Sequence, residues 1–72
     1  MRPVDSTSIE ALGYDDGANK LYVRFRDTGD TYVYYLVPHR VYEELAHTDS
    51  PGRYLNTTIK AKYPFARLET AA

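Results

Sequence analysis

The chain has 72 residues with a formal net charge of −1, a pI of about 6.0, no cysteine and eight tyrosines. A chain this short makes one small domain, residues 1–72, and without cysteine it has neither disulfides nor a zinc–thiolate site, which fits a cytoplasmic protein. The charge argues against strong non-specific nucleic-acid binding, and no apolar run approaches the roughly 18 residues of a membrane span.

Three strands are predicted after a lead-in of turn-forming residues at 1–7. The predicted strands are residues 8–15, 20–26 and 31–37. Leu12 and Tyr14 share one face of the first strand, and the second alternates apolar and polar side chains, the pattern of a half-buried strand. The third is β-branched and aromatic, and Pro38 ends it because proline donates no ladder hydrogen bond. These strands predict an antiparallel meander.

The turn between the second and third strands decides which tyrosines are buried, because a shift of one residue moves every side chain to the other face. A two-residue Thr28-Gly29 turn gives three cross-strand pairs: Phe25 with Tyr32, Val23 with Tyr34, and Leu21 with Leu36. A three-residue loop with a left-handed Gly29 instead places Val33 and Tyr35 on that face. Turn chemistry favours this loop, since β-branched Thr28 resists the positive φ of a type I′ turn. A four-residue loop keeps the first register without that strain.

Two helices follow the meander. The first covers residues 38–47, and three of its side chains face the sheet at helical spacing: Val41, Tyr42 and Leu45. Ser50 as N-cap and Pro51 at the first helical position begin the second helix, which Pro64 ends. The predicted fold class is α+β: a three-stranded antiparallel β-meander followed by two α-helices packed on one face.

The core is predicted to gather between this sheet and the helices. Its central members are Val23, Phe25, Tyr34, Leu45 and Ile59. Tyr32 and Tyr34 face the helices, and each hydroxyl finds a hydrogen-bond partner at the edge of the core. After the second helix, Phe65 and Leu68 pack back in an extended tail, and residues 69–72 fray.

A family resemblance covers most of the chain, about residues 4–68. The residues that carry it are Ile9, Gly13-Tyr14-Asp15, Leu21-Tyr22-Val23-Arg24-Phe25, Tyr32-Val33-Tyr34, Val37-Pro38, Ser50-Pro51-Gly52-Arg53-Tyr54-Leu55-Asn56, Ile59-Lys60 and Tyr63-Pro64. In this order and spacing they resemble the KTSC domain, a short bacterial domain found alone or at the C-terminus of some lysyl-tRNA synthetases.

The resemblance bears on both register and function. Its hallmark is a central Tyr-x-Tyr, here Tyr32-Val33-Tyr34, and the middle residue is often polar in the family. This implies that both tyrosines point inward, which favours the first register, although Val33 departs from the polar pattern. The attachment to synthetases has suggested RNA binding, so the resemblance implies an RNA-binding accessory domain.

The sheet face away from the helices is the main candidate for binding, with Tyr22, Arg24, Arg26, Val33 and Tyr35 as its residues. Its pairs in the first register are Tyr22 with Tyr35, Arg24 with Val33, and Arg26 with Thr31. Exposed aromatic rings beside arginine form the kind of platform on which single-stranded bases stack. The same patch suits a protein partner, because interface cores favour tyrosine and arginine. The structural alternative is that Tyr22 and Tyr35 only stabilise each other across strands.

A second candidate lies on the second helix and comprises Ser50, Gly52, Arg53, Lys60 and Lys62. A helix N-terminus offers free N–H groups to an anion, Gly52 lets a phosphate approach, and Arg53 clamps it. The structural alternative is ordinary helix capping, with the three basic side chains on a solvated face.

No acid–base pair or nucleophile stands out, so no catalytic residue is predicted and we do not expect an enzyme. His39 and His47 lie roughly 12 Å apart along a helix, too far to share a metal, and neither a metal site nor a cofactor is predicted. The predicted function is a small non-enzymatic binding module. RNA is one expected partner; the alternative is a protein-interaction or weakly self-associating module without a nucleic-acid role.

Overall fold

The computed structural model describes residues 2–3 and 7–68, and within them the chain forms five antiparallel strands and two helices. The strands follow sequence order across the sheet: β1 Arg2–Pro3, β2 Ile9–Asp15, β3 Lys20–Phe25, β4 Thr31–Tyr34 and β5 Phe65–Leu68. The helices stand between β4 and β5. The predicted α+β class is confirmed, with β2 to β4 as the meander.

Two edge strands extend the predicted sheet. The tail is not merely extended, because β5 pairs with β4 along its whole length. Residues 2–3, predicted as part of a lead-in, form β1 and pair with Leu12 and Ala11. The other lead-in residues, 1 and 4–6, and the predicted fraying at 69–72 lie outside the described residues.

The helices begin where proline predicts. Helix α1 is His39–His47 with Pro38 as its N-cap. Helix α2 covers residues 51–62: an α-helical turn at Pro51–Tyr54, a π-helical turn at Leu55–Ile59 and an α-helical end at Lys60–Lys62. Pro51 occupies the first helical position, whereas the Ser50 side chain makes no cap hydrogen bond. Two leucines and two other apolar residues of the helices reach the core: Val41, Leu45, Leu55 and Ile59.

The loop between β3 and β4 covers residues 26–30, and a hydrogen bond between Phe25 and Asp30 encloses four of them, 26–29. The Phe25 N–H donates to the Asp30 carbonyl at 2.9 Å, and the Gly29 N–H donates to the Phe25 carbonyl at 2.9 Å. Only Gly29 in this loop has a positive φ, +74°, so Thr28 avoids the strain of a two-residue turn. The pairs are Leu21 with Tyr34, Tyr22 with Val33, Val23 with Tyr32, and Arg24 with Thr31.

The predicted pairs are therefore wrong by two residues, while the predicted face is right. A shift of two residues preserves the side-chain alternation, because the period of a strand is two. Tyr32 and Tyr34 accordingly face the helices with Leu21, Val23 and Phe25, as predicted.

Strand β4 ends at Tyr34, earlier than the predicted end at Pro38. The Tyr35 N–H donates to the Pro64 carbonyl, and the Val37 N–H donates to the Asn19 carbonyl, each at 2.9 Å. Between them Leu36 adopts a left-handed φ of 60° and is 72% exposed. This bend turns Val37 into the core before α1 begins.

The core between sheet and helices contains nine side chains that are completely or almost completely buried: Ile9, Leu12, Leu21, Val23, Tyr34, Val37, Leu45, Leu55 and Ile59. A β-bulge between Ile9 and Ala11 adds one residue to β2, so that Ile9 and Leu12 both reach the core. Of the five predicted core members, Phe25 alone is only partly buried.

The prediction that each tyrosine hydroxyl finds a partner is wrong for Tyr34. Its ring is 0% exposed, and its hydroxyl has no hydrogen-bond partner among the described residues. The face of the ring was predicted correctly from the family resemblance, but a face assignment says nothing about what lies at the polar tip of the ring.

Candidate binding surfaces

The face of strands β2 to β5 opposite the helices is here called the outer face. One row across it consists of Gly13, Tyr22, Val33 and Ala66, one residue from each strand. Tyr22 therefore lies beside glycine on one strand and opposite Val33 on the other, not opposite Tyr35 as predicted. Small residues occupy both ends of the row, and Tyr22 is half-buried.

Tyr35 lies near the end of the outer face and is approached by a cation. The Lys20 ammonium lies 5.7 Å from the centroid of its ring, a cation–π distance. Lys20 was absent from the predicted site. The sequence pattern could have indicated Lys20, because residues two apart on a strand share a face and Lys20, Tyr22 and Arg24 follow this spacing along β3.

Arg24 is on the outer face opposite Thr31, where its Nε lies 3.5 Å from the threonine hydroxyl. Its guanidinium also pairs with the Glu10 carboxylate at 3.6 Å, and both side chains are partly exposed. An exposed ion pair of this kind contributes roughly 0–1 kcal/mol to stability. The Glu10 carboxylate therefore offsets part of the positive charge of Arg24 on the outer face.

The structure places two predicted binding residues, Val33 and Arg26, differently from the prediction. Val33 is only 2% exposed, since β5 makes β4 an interior strand and places Ala66 beside it. Arg26 lies in the loop after β3, not in a pair with Thr31. Its N–H donates to the Ser8 carbonyl at 2.9 Å, and its guanidinium donates to the Ile9 carbonyl at 3.4 Å.

The second predicted site does not assemble as one surface. A Cβ at Gly52 would lie 3.1 Å from the Ser8 Oγ and 3.2 Å from the Ser8 Cβ. Gly52 thus admits the Ser8 side chain rather than a phosphate. A cavity of about 340 Å³ adjoins this helix start, lined by Ser50, Gly52 and Arg53 among others, and it also contains the Asp49 carboxylate. Lys60 lines a different cavity altogether.

That other cavity, here called the aromatic groove, lies on the helix side of the sheet and was not predicted. It has a volume of about 420 Å³ and is lined by Ser8, Phe25, Asp27, Thr28, Asp30, Tyr32, Tyr34, Asn56, Lys60 and Phe65. These residues come from the residue before β2, the β3–β4 hairpin, β5 and the π-helical turn with its following residue. Because they are far apart in the sequence, no local motif marks the groove.

The eight tyrosines divide between structural and surface positions. The Tyr14 hydroxyl donates to the Val37 carbonyl at 2.6 Å, and its ring stacks on Tyr42 with centroids 5.1 Å apart. Burial, followed by the charges of Asp16 and Asp15, raises the pKa of Tyr14. These contacts fasten α1 to the sheet and leave little of Tyr14 for binding.

Tyr54 fastens α2 to α1. Its hydroxyl donates a short hydrogen bond to the Glu44 carboxylate. This hydrogen bond is the main reason, ahead of burial and the carboxylate charge, that the pKa of Tyr54 is raised to about 12. The contact joins the helices, so Tyr54 is a structural residue.

His39 and His47 do not converge on a metal position. Both approach the Glu43 carboxylate, His39 at 3.3 Å and His47 at 3.6 Å, as i,i+4 neighbours on α1. Residues 2–3 and 7–68 contain no group of three or more His, Cys, Asp or Glu side chains that could hold a metal ion. Over the same residues no helix has the length and apolar character needed to cross a membrane.

Comparison with known proteins gives three matches of different kinds. The family model of the KTSC domain matches residues 5–63. A curated protein of Tsukamurella paurometabola is 43% identical over 63 residues, covering 88% of this chain and 92% of its own. The crystal structure of a KTSC domain protein from Yersinia pestis superposes with a TM-score of 0.88 at 34% identity, covering 94% of each chain.

A lysine–tRNA ligase of Trichormus variabilis contains a related segment. It is 33% identical over 64 residues, which is 89% of this chain but only 11% of the ligase. The likeness therefore concerns one small part of that enzyme.

Proposed function

Because the chain belongs to the KTSC domain family, whose model matches residues 5–63, and a related segment forms part of a tRNA ligase, we propose that it is a non-enzymatic module that binds single-stranded RNA. The binding surface is the outer face of the sheet. The observation that carries the proposal is that the half-buried Tyr22 lies between Gly13 and Val33, with the basic side chains of Lys20 and Arg24 on the same face of β3.

Stacking is the first contribution. Single-stranded bases stack on exposed aromatic rings, and each such contact is worth about 1–3 kcal/mol. Tyr22 lies on β3, and Tyr35 directly follows β4 with the Lys20 ammonium 5.7 Å from its ring centroid, so each ring can receive one base. Gly13 and Ala66 are small residues at the two ends of the row, whereas Val33 in the row is buried.

Charge is the second contribution and is modest. Lys20 and Arg24 flank Tyr22 on β3, and the pairing of Arg24 with Glu10 reduces its share. For one or two phosphate contacts to a single strand, the logarithm of the binding constant should fall with the logarithm of salt concentration with a slope between about −0.7 and −1.4. Such a slope fits a chain of net charge −1.

The test uses the double variant Tyr22→Ser with Tyr35→Ser. Fluorescence anisotropy of a labelled RNA of about 10 unpaired nucleotides measures binding, since site sizes of this kind run to about 4–16 nucleotides. The variant should stay folded, lose about 1 kcal/mol of stability through missing cross-strand contacts, and lose most RNA binding. The control is Tyr22→Phe with Tyr35→Phe, which keeps both rings and should keep stacking. Unchanged RNA binding by a folded serine variant would refute the proposal.

A protein partner, including a second copy of the chain, is the alternative for the same face. Two observations favour a protein partner. The Glu10–Arg24 ion pair lowers the net positive charge of the outer face, and Leu68 on β5 is 39% exposed. Interfaces favour such mixtures of tyrosine, arginine and apolar surface. Sedimentation equilibrium of the wild type and the serine variant tests self-association. A dimer that the serine substitutions dissociate, with no measurable RNA binding, would replace the RNA proposal with this one.

A further inference from the structure

The aromatic groove lies on the opposite side of the sheet from the outer face and has the features of a separate small-molecule site. Its volume of about 420 Å³ falls within the range of roughly 300–1,000 Å³ that is usual for such sites. One wall is made of aromatic rings, and the other is made of polar residues of α2. The groove therefore offers both an apolar surface and groups that orient a ligand.

The aromatic wall is continuous, and because its rings are tilted against one another, a flat ligand stacks on one of them. Phe25 and Tyr32 meet edge to face with centroids 5.4 Å apart, and Phe65 continues the wall at 5.7 Å from Tyr32 and 5.5 Å from Tyr34. Phe65 is 48% exposed although it is a large apolar side chain. A planar aromatic ligand stacked against this wall would cover that exposed surface.

The polar groups of the groove match the edge of a nucleobase. The buried Tyr34 hydroxyl has no partner among the described residues and, like other tyrosine hydroxyls, is a donor at neutral pH. Burial, followed by the charge of Tyr32, raises its pKa. The Asn56 amide both donates and accepts. The carboxylates of Asp27 and Asp30 accept hydrogen bonds, as carboxylates do from the exocyclic amino group of cytosine.

One lining residue, Lys60, is a cation that can contact a phosphate, and Arg67 at 3.9 Å offsets part of the charge of the Asp30 carboxylate. Lys60 follows the π-helical turn, where its N–H donates to the Leu55 carbonyl. Asn56 and Lys60 are four residues apart and so lie on one side of α2. The π-helical turn, a feature frequent at functional sites, is the stretch of α2 that contributes Asn56 to the groove.

We propose that the aromatic groove binds a nucleotide whose base carries an exocyclic amino group. The base stacks on the exposed Phe65 ring, the Tyr34 hydroxyl donates to an acceptor of the base, the aspartates accept from its amino group, and Lys60 contacts its phosphate. This site is independent of the outer face and does not require that the outer face binds RNA.

The experiment titrates the ¹⁵N-labelled full chain with cytidine 5′-monophosphate, uridine 5′-monophosphate and cytidine, and follows backbone amide shifts. Cytidine monophosphate should cause saturable shifts in the loop 26–30 and at Asn56 and Lys60. It should bind about tenfold more tightly than uridine monophosphate, because uracil presents a carbonyl where cytosine presents an amino group. Tyr34→Phe should weaken its binding about fivefold through the loss of one hydrogen bond.

Matched variants separate the phosphate contact from general charge effects. Lys60→Ala should lower the affinity for cytidine monophosphate to that for cytidine. Lys62→Ala, which removes an equal charge two residues further along α2 but outside the groove, should change nothing. Absence of saturable shifts in the groove, equal affinity for the two monophosphates, or equal effects of the two lysine variants would overturn the proposal.

The Tyr22→Ser, Tyr35→Ser variant distinguishes this proposal from RNA binding on the outer face. Its binding of cytidine monophosphate should equal that of the wild type. If the shifts in the groove disappear in this variant, or if they occur only on the outer face of the wild type, the groove is not the site. Failure of the wild type to bind RNA would leave the expected titration unchanged.

Discussion

Tyr34→Phe should stabilise the protein in the absence of ligand, although the residue lies at the centre of the core. The Tyr34 ring is completely buried, and its hydroxyl has no hydrogen-bond partner among the described residues. A buried hydroxyl without a partner costs about 1–3 kcal/mol, and phenylalanine removes this cost while keeping the ring contacts. The small void left by the oxygen offsets part of the gain, so we expect a net stabilisation of about 1 kcal/mol.

Urea unfolding followed by far-ultraviolet circular dichroism measures this change, and for a domain of this size 1 kcal/mol corresponds to a rise of about 4–8 °C in Tm. Tyr14→Phe is the matched control. Its hydroxyl donates to the Val37 carbonyl at 2.6 Å, so the same atomic change should destabilise the protein by about 1 kcal/mol. If Tyr34→Phe is also destabilised by about 1 kcal/mol, the hydroxyl has a partner in solution, and the argument from its isolation fails.

Three further predictions concern alkaline pH, the bend after β4 and the start of α2. The pKa of Tyr54 is raised from 10.0 to about 12 by its hydrogen bond to Glu44, so stability present below pH 10 should be lost as the pH rises toward about 12. In Tyr54→Phe the free energy of unfolding, measured with urea, should fall less steeply between about pH 10 and 11 than in the wild type. An equally steep fall in the variant would contradict the attribution of this pH dependence to Tyr54. Leu36→Gly should raise the free energy of unfolding by about 1 kcal/mol, because it relieves a left-handed φ at an exposed position; Leu36→Ala, which keeps a Cβ, should give no such gain. Gly52→Ala should lower the free energy of unfolding by at least about 0.5 kcal/mol more when Ser8 is present than in a Ser8→Gly background. If the effects of the two substitutions are additive in a double-mutant cycle, the contact between the new Cβ and Ser8 has no energetic cost.

The elements themselves were predictable because their signals are local. The alternation of apolar and polar residues along β3 predicted a half-buried strand, and Pro38 and Pro51 marked the helix starts. The side of the sheet that Tyr32 and Tyr34 occupy was also predictable. A side chain changes face only when the register shifts by an odd number of residues, so the error of two residues in the pairing left the faces unchanged.

The candidate sites were less predictable because they depend on contacts between distant parts of the chain. Tyr22 was correctly placed on the sheet face away from the helices, but the pairing of β5 with β4 buried Val33 and changed the surface around it. Gly52 gave a phosphate-site signal in the sequence, whereas the structure uses its missing side chain to admit Ser8.

The sequence by itself determined the three meander strands and the two helices that follow them, and its resemblance to the family indicated which tyrosines enter the core. Tertiary structure alone decided the exact strand pairs, the edge strands and the aromatic groove, whose walls join Phe25, Asn56 and Phe65. The physical reason is that backbone propensity and side-chain periodicity act over a few residues. Strand pairing and cavity shape instead depend on which of several compact arrangements buries the most apolar surface and satisfies the most backbone hydrogen bonds.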